Sequence, residues 1–250
     1  RFCSLILAIH ILTLSSFCGA ADEQPLQIDN QRQLFFDNHL ISTSSGLEKT
    51  WHTPKKLSSP VLKKEHAWEG SGPYVYGTVI RDPATQNFRL WYNCYVQGRP
   101  DYFTCYATST DGINWIRPRC DAVSDPRLPP DNNVVMLGSG LPGYRQSLSP
   151  SVLYRPDEVD PARRYAMTYW DVSAEGAEKF FGLCLAYSPD GIHWTNATEN
   201  PVFTGASDVT DAQYDPARKI YLLHYKIWRV DGEVVASNLP RGIAHSVSYW

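Results

Sequence analysis

The sequence predicts an all-β fold, built from the antiparallel blades of a β-propeller. Three observations carry this expectation. A pattern recurs three times, its turns have the same chemistry at matching places, and its strands alternate apolar and polar residues with period two. The first copy runs Thr78-Val79-Ile80-Arg81-Asp82-Pro83, then Phe88-Arg89-Leu90-Trp91-Tyr92, then Cys105-Tyr106-Ala107-Thr108-Ser109-Thr110-Asp111-Gly112-Ile113-Asn114-Trp115. The second runs Ser151-Val152-Leu153-Tyr154, Asp160-Pro161-Ala162, Tyr165-Ala166-Met167-Thr168-Tyr169, then Cys184-Leu185-Ala186-Tyr187-Ser188-Pro189-Asp190-Gly191-Ile192-His193-Trp194. The third runs Asp211-Ala212-Gln213-Tyr214-Asp215-Pro216-Ala217, Tyr221-Leu222-Leu223-His224-Tyr225, then Ile243-Ala244-His245-Ser246.

Each copy opens with a short strand that ends in an Asp-Pro turn. Asp accepts bonds from the amides of its own turn, and Pro fixes φ at the next position. The alternating segments Phe88-Leu90-Tyr92, Tyr165-Met167-Tyr169 and Tyr221-Leu223-Tyr225 then read as half-buried strands. A third strand follows, closed in two copies by Ser-x-Asp-Gly-x-x-Trp. The glycine accepts positive φ, and the tryptophan can fold back over the turn. No stretch offers a convincing amphipathic helix beyond about ten residues. Sheets of about four strands, repeated at intervals of tens of residues, point to a propeller; a β-sandwich is the other all-β reading.

Composition narrows the function. The 250 residues carry a net charge of −3 without charge blocks, which excludes a basic nucleic-acid binder and a disordered acidic tail. Eight Trp and fifteen Tyr suit aromatic cores or sites for flat, partly apolar ligands such as sugars. Residues 1–20 combine one positive residue, the apolar run Phe2–Leu14 and small residues near Ala20, the pattern of a secretory signal. The expected organisation is signal peptide 1–20, an N-terminal segment 21–59, and blades over about 60–140, 141–203 and 204–250, with no membrane span after signal cleavage. The chain starts without Met and its third copy stops after its third strand, so we expect an incomplete arc lacking C-terminal blades.

Export permits disulfides, and Cys94, Cys105, Cys120 and Cys184 follow the signal. Cys105 and Cys184 fall where the third copy has Ile243, which reads as a packing slot for small hydrophobes. Cys94 with Cys105 is the one pair worth considering. The expectation is buried free thiols.

The stretches Ala107–Trp115 and Ala186–Trp194 resemble the Ser-x-Asp-x-x-x-Trp turns of the five-bladed glycoside hydrolases, a superfamily containing invertases, levansucrases and arabinanases. Asp208–Pro216 with Lys219-Ile220-Tyr221, the opening segment Leu34–Ile41 and Trp68-Glu69-Gly70 are similar to those of secreted planctomycete-type members, described as glycosyl hydrolase family 32-like. The sialidase box differs, because one residue there separates Asp from Gly, and a sialidase-like site would need an arginine cluster.

The resemblance implies an exported hydrolase that cuts glycosidic bonds of a poly- or oligosaccharide with paired carboxylates, each from the first strand of a blade near the axis. Candidates are Glu69, Asp82, Asp208 and Asp211. Asp82 recurs as Asp160 and Asp215 and so reads as turn architecture, as do Asp111 and Asp190. Asp208, Glu69 and Asp211 remain as catalytic candidates, with Asp208 and Glu69 expected to face the axis and to carry a raised pKa where an acid is needed. Trp68, Tyr74, Tyr76 and Arg145 are the expected sugar-binding neighbours. The second copy begins Ser147-Leu148-Ser149-Pro150-Ser151, with no carboxylate where invertase-type enzymes place one. A non-catalytic glycan-binding or scaffolding propeller is therefore the second reading. No metal-ligand spacing, phosphate loop or nucleophile elbow occurs, and no cofactor is expected. Asn196-Ala197-Thr198 is a glycosylation sequon.

Overall fold

The computed structural model describes residues 26–28, 30, 33–95, 102–140, 146–172, 181–204, 206–227, 229–230, 233–234 and 242–248, so the signal segment lies outside the described residues. The chain divides into two units, Arg1–Lys55 and Lys56–Trp250. The described part of the first unit holds turns and no strand. In one of them Asp37 accepts the amide of His39 at 2.9 Å.

Among its described residues the second unit is all-β apart from single turns of 3-10 helix at Ala67–Glu69 and Pro161–Arg163. A four-stranded meander contains β1 (Pro73–Arg81), β2 (Phe88–Tyr95), β3 (Tyr102–Ser109) and β4 (Val134–Met136). The next sheet contains β5 (Leu148–Tyr154), β6 (Tyr165–Val172), β7 (Phe181–Ser188) and β8 (Thr195–Asn196), with β9 (Phe203–Thr204) also on β7. The third runs β10 (Ala206–Asp215), β11 (Ile220–Ile227) and β14 (Gly242–Ser248), while β12 (Arg229–Val230) and β13 (Glu233–Val234) pair as a ribbon. The pairings between these strands are antiparallel, each of the three sheets begins with consecutive strands paired in chain order, and the first strands β1, β5 and β10 lie side by side. This is an arc of three propeller blades.

The strands are buried more completely than their alternation suggests. In β2, Leu90, Trp91, Tyr92, Asn93 and Cys94 are all buried. The alternation decides which cluster each residue joins: Leu90, Tyr92 and Cys94 pack with Phe103 and Val134, while Trp91 packs with Tyr106, Val152 and Met167. Both faces are core because one packs on the next blade and the other is covered by Leu62 and Trp68 of the preceding segment and by Trp115, Val123 and Leu128 of the excursion before β4.

The turns follow their chemistry. Asp82 Oδ1 accepts the amides of Ala84 and Thr85, Asp160 that of Ala162, and Asp215 those of Ala217 and Arg218. Asp111 accepts the amides of Ile113 and Asn114, and Asp190 those of Ile192 and His193. Trp115 folds back so that its Nε1 donates to Gly112 O at 3.1 Å.

The second of these turns also locks two blades together. Arg89 of β2 donates from Nε to Tyr106 OH at 2.7 Å, from Nη1 to Tyr165 OH at 2.6 Å, and from Nη2 to Asp190 O. Its guanidinium lies near the rings of Trp91, Tyr106 and Tyr165. Trp91 Nε1 donates to Gly191 O at 2.7 Å. Gly191 has φ 76°, and a Cβ there would lie 2.8 Å from Trp91 Cζ2 and 2.9 Å from Arg89 Nη2, so only glycine allows this docking.

One expectation is corrected. Cys94 and Cys105 form a disulfide, with Cα atoms 6.4 Å apart on paired strands. Equivalence between copies says nothing about a neighbour within one sheet, and that neighbour is what Cys105 meets. Cys94 lies two residues beyond Tyr92, the direct partner of Cys105, so the two side chains share a face. Cys184, in the equivalent strand β7, is free and buried, as is Cys120; burial pushes both thiols up to about 12.

Peptide mapping without reductant should recover Cys94 linked to Cys105, and Cys120 and Cys184 should alkylate only after unfolding. Closing the 94–105 loop stabilises by roughly 3 kcal/mol on chain-entropy grounds, so Cys94→Ser/Cys105→Ser should lower the urea midpoint correspondingly. Alkylation of Cys105 in the native, unreduced protein would contradict the pairing.

Candidate functional site

The three inner strands share a construction. Each loses regular register near its start, between Tyr74 and Thr78, between Leu148 and Ser151, and between Ala206 and Thr210. Thr78 and Ser151, where the register resumes, and Asp211, one residue past Thr210 where it resumes on β10, face Trp91, Thr168 and His224, which hold the same repeat position on the second strands. The side chain there ties one blade to the next. Thr78 Oγ1 accepts the amide of Val152 at 2.9 Å, and Ser151 Oγ accepts the amide of Ala212 at 2.9 Å. Where two copies carry a hydroxyl, the third carries a carboxylate. Asp211 is exposed, accepts Ser151 Oγ at 3.2 Å on Oδ1 and Gln213 Nε2 at 2.8 Å on Oδ2, and thus sits at the inner ring with its oxygens oriented.

Asp208 lies earlier on β10, in the irregular stretch, and its side chain is outside the described residues, as is the whole of Arg145. Tyr74 and Tyr76 are exposed on β1, at the same end of the sheet, and Tyr74 OH pairs with Ser71 Oγ at 2.9 Å. The Ser147–Ser149 segment is bound to the first blade rather than presented to solvent. Asn93 Nδ2 donates to Ser147 O at 2.7 Å, and Asn93 Oδ1 accepts the amide of Ser149 at 2.6 Å.

Glu69 and Trp68 do not stand in an open pocket. Glu69 is 0% exposed, and its carboxylate accepts the amides of Glu65 at 2.7 Å and His66 at 3.0 Å, Tyr92 OH at 2.9 Å and Arg117 Nε at 2.7 Å. Burial raises the pKa of Glu69, but the two amides, then Arg117 and Tyr92, outweigh it, and the carboxyl is held below its ordinary value. That is the reverse of the raised pKa expected of an acid catalyst. Trp68 stacks on His66 with centroids 4.3 Å apart and donates Nε1 to Asn133 Oδ1 at 2.9 Å, while Asn133 Nδ2 donates to Tyr92 OH at 2.9 Å. The chain Trp68–Asn133–Tyr92–Glu69–Arg117 fastens the segment before β1 to the first blade. Sequence reasoning missed it because Asn133 and Arg117 are remote in the chain.

The second blade does contain an acid. Asp171, at the end of β6, is buried and accepts the amides of Ser139 at 2.6 Å and Gln146 at 2.7 Å. Its place after Tyr169-Trp170, where the first copy has Cys94, was the only sequence signal. Asn196 of the sequon is likewise engaged, donating to Gly138 O and Ser139 O and accepting Tyr169 OH at 2.6 Å, so its amide nitrogen is built into the fold. Among the described residues, no group of His, Cys, Asp and Glu is arranged to hold a metal ion.

No protein-family model matches the sequence, and a search of curated proteins found no match. Solved structures with a similar arrangement include a β-fructofuranosidase from Schwanniomyces occidentalis complexed with fructosyl-erythritol, at 15% identity and TM-score 0.44 over 62% of this chain and 28% of that one. A GH32 β-fructofuranosidase from Bombyx mori is similar at 13% identity and TM-score 0.44, over 66% of this chain and 30% of that one. An N-acetylgalactosamine deacetylase from F. plautii in complex with blood group B trisaccharide is similar at 17% identity and TM-score 0.44, over 69% and 48%. The chain thus spans under a third of the length of the two fructofuranosidases.

Two outcomes follow from these environments. Glu69→Gln removes the buried carboxylate from Arg117, which keeps its ion pair with the exposed Glu65 at 2.8 Å, so it should destabilise by roughly 1–3 kcal/mol in urea unfolding. A variant as stable as the parent would show that the Glu69 pair contributes nothing. The turn aspartates set the acid limb. Asp111 is held below its ordinary value by the amides of Asn114 and Ile113, while Asp190, where burial opposes the bonds from His193 and Ile192, falls to about 2. Folded values below unfolded ones mean the stabilisation is complete above the ordinary carboxylate range, about 3.9, and is lost as pH falls through the folded values. The urea midpoint should therefore hold from pH 7 to about 5 and decline below about 4. Asp190→Asn should make that decline shallower.

Proposed function

We propose that this chain is part of an exported, five-bladed carbohydrate-active propeller that hydrolyses glycosidic bonds of a poly- or oligosaccharide at its inner-strand ring. One observation carries the reading: Asp211 places an oriented, solvent-accessible carboxylate where the other two blades have hydroxyls used for assembly. The turn motifs Ala107–Trp115 and Ala186–Trp194 resemble those of the five-bladed glycoside hydrolases, which supports the substrate class. In this reading Asp211 acts as nucleophile or base, being an acceptor already aimed by two donors. Asp208, from the same strand, is the second carboxylate that glycoside hydrolysis requires. Tyr74 and Tyr76 offer exposed rings on which a sugar could stack. Glu69 leaves the catalytic pair, since its four bonds hold it charged and out of solvent.

That sequestration favours a second reading, a propeller that binds glycans without cutting them, because one of two expected carboxylates is absent from the ring. Reducing-end release from a panel of polysaccharides separates the two. In the hydrolase, Asp211→Asn and Asp208→Asn each lower kcat/KM by about 10²–10⁴-fold, with the melting temperature within a degree or two of the parent. Glycan retention without release, weakened by the same substitutions, establishes the binding module. Full turnover in Asp211→Asn removes that residue from the site.

A further inference from the structure

Adjacent basic residues occur four times, at Lys55-Lys56, Lys63-Lys64, Arg163-Arg164 and Arg218-Lys219. Three of these pairs are built into the fold. Lys63 O accepts Arg117 Nη2, and the Leu62 side chain before it is buried against the first blade. The amides of Glu65 and His66, just after that pair, donate to Glu69 Oε2 at 2.7 and 3.0 Å. Arg163 N donates to Asp160 O at 2.9 Å, Arg164 O accepts Arg155 N at 2.9 Å, and the next residue, Tyr165, starts β6. The Arg218 amide donates to Asp215 Oδ1 at 3.1 Å in the turn between β10 and β11, where Asp215 and Ile220 are paired across the ladder.

Lys55-Lys56 is the exception. Residues 52–61 are all exposed and form neither helix nor strand. Among the described residues none of these ten takes part in a hydrogen bond, an ion pair or a ring contact. Pro54 and Pro60 contribute to this, because each lacks an amide proton and disfavours the helical region for the residue before it. The stretch is bounded by held groups. On one side the Lys49 ammonium donates to the carbonyls of Phe36 and Asp37 at 3.3 Å, and on the other Lys63 O is taken by Arg117. The division of the chain into its two units falls at the Lys55–Lys56 bond itself.

We propose that Lys55-Lys56 is a proteolytic processing site, cut on the carboxyl side of Lys56 by an endoprotease that selects basic residues. Such an enzyme holds its substrate as an extended strand through main-chain hydrogen bonds, which requires free amides and carbonyls on both sides of the scissile bond. It reads a lysine ammonium with a carboxylate, and here no ion pair competes. Each of the other three pairs would first have to open locally, losing its hydrogen bonds and, at Lys63-Lys64, the burial of Leu62. In the step, water adds to the Lys56 carbonyl carbon and the C–N bond to Leu57 breaks, leaving a carboxylate on Lys56 and an ammonium group on Leu57. The mature second unit then begins at Leu57 and keeps the chain Trp68–Asn133–Tyr92–Glu69–Arg117, whose members all follow the cut. The site is independent of the inner-strand ring and of glycoside hydrolysis.

The folded full chain is treated with trypsin at a limiting ratio, and each cut is timed by mass spectrometry against a synthetic peptide of the same sequence. The bond after Lys56 should be cut within about tenfold of the peptide rate, and the bonds after Lys64, Arg164 and Lys219 about a hundredfold or more below theirs. Glu69→Gln should speed the cut after Lys64 and leave that after Lys56 unchanged. The chain cut at Lys56 should melt within about two degrees of the intact one. Protein recovered from its own source should begin at Leu57, and Lys55→Gln/Lys56→Gln should retain the residues before it. Equal protection of Lys56 and Lys64, a larger fall in melting temperature on cutting, or a recovered native chain that begins before Lys56 would each overturn the proposal.

Discussion

Arg89 is held on three sides by groups that no single sheet could supply. Tyr106 belongs to its own blade, while Tyr165 and the carbonyl of Asp190 belong to the next. A guanidinium offers five donors in a rigid plane, and here that plane also lies among three aromatic rings. The Ser188–Trp194 turn must therefore present its backbone to the first blade, and Gly191 must lack a side chain, for the junction to close. Much else depends on this docking. Trp91 can be fully buried only because Gly191 O takes its indole N–H, and the core around Met167 and Cys184 is continuous with it.

The same logic explains the inner strands. A blade buried on both faces has to satisfy backbone amides at its inner edge, where no fifth strand pairs with it. Thr78 and Ser151 do so by accepting an amide from the following blade. Their spacing fixes how closely the first strands approach one another. It also makes the third equivalent, Asp211, an exception with chemical consequences, since a carboxylate there is aimed by assembly contacts before any substrate arrives.

Acidic residues in this chain are thus divided by environment rather than by type. Those in turns accept amides of their own loop, Glu69 adds the remote Tyr92 and Arg117 to two nearby amides, Asp171 accepts amides of remote segments, and Asp211 alone among the described candidates keeps solvent access at the inner ring. Buried carboxylates that collect several donors serve assembly, because the donors stabilise the charge they would have to give up in acid catalysis.

The sequence by itself determined the strands, the turns and their repetition, because these follow from interactions within a few residues. An Asp-Pro turn, an Asp-Gly turn and an alternating strand need no distant partner, so Asp82, Asp111, Asp190 and Asp215 were legible as architecture, and Cys105 and Cys184 as equivalent buried positions. The place of Asp211 beside the third inner strand was legible too. Only the tertiary structure decided what crosses between segments. Whether Glu69 meets a substrate or Arg117, whether Cys105 meets Cys94, and whether the space beside a blade is filled by Trp91 or left open beside Thr168 depends on side chains tens of residues away. A one-dimensional repeat marks equivalent places, but each place meets a different neighbour once the blades stand next to each other.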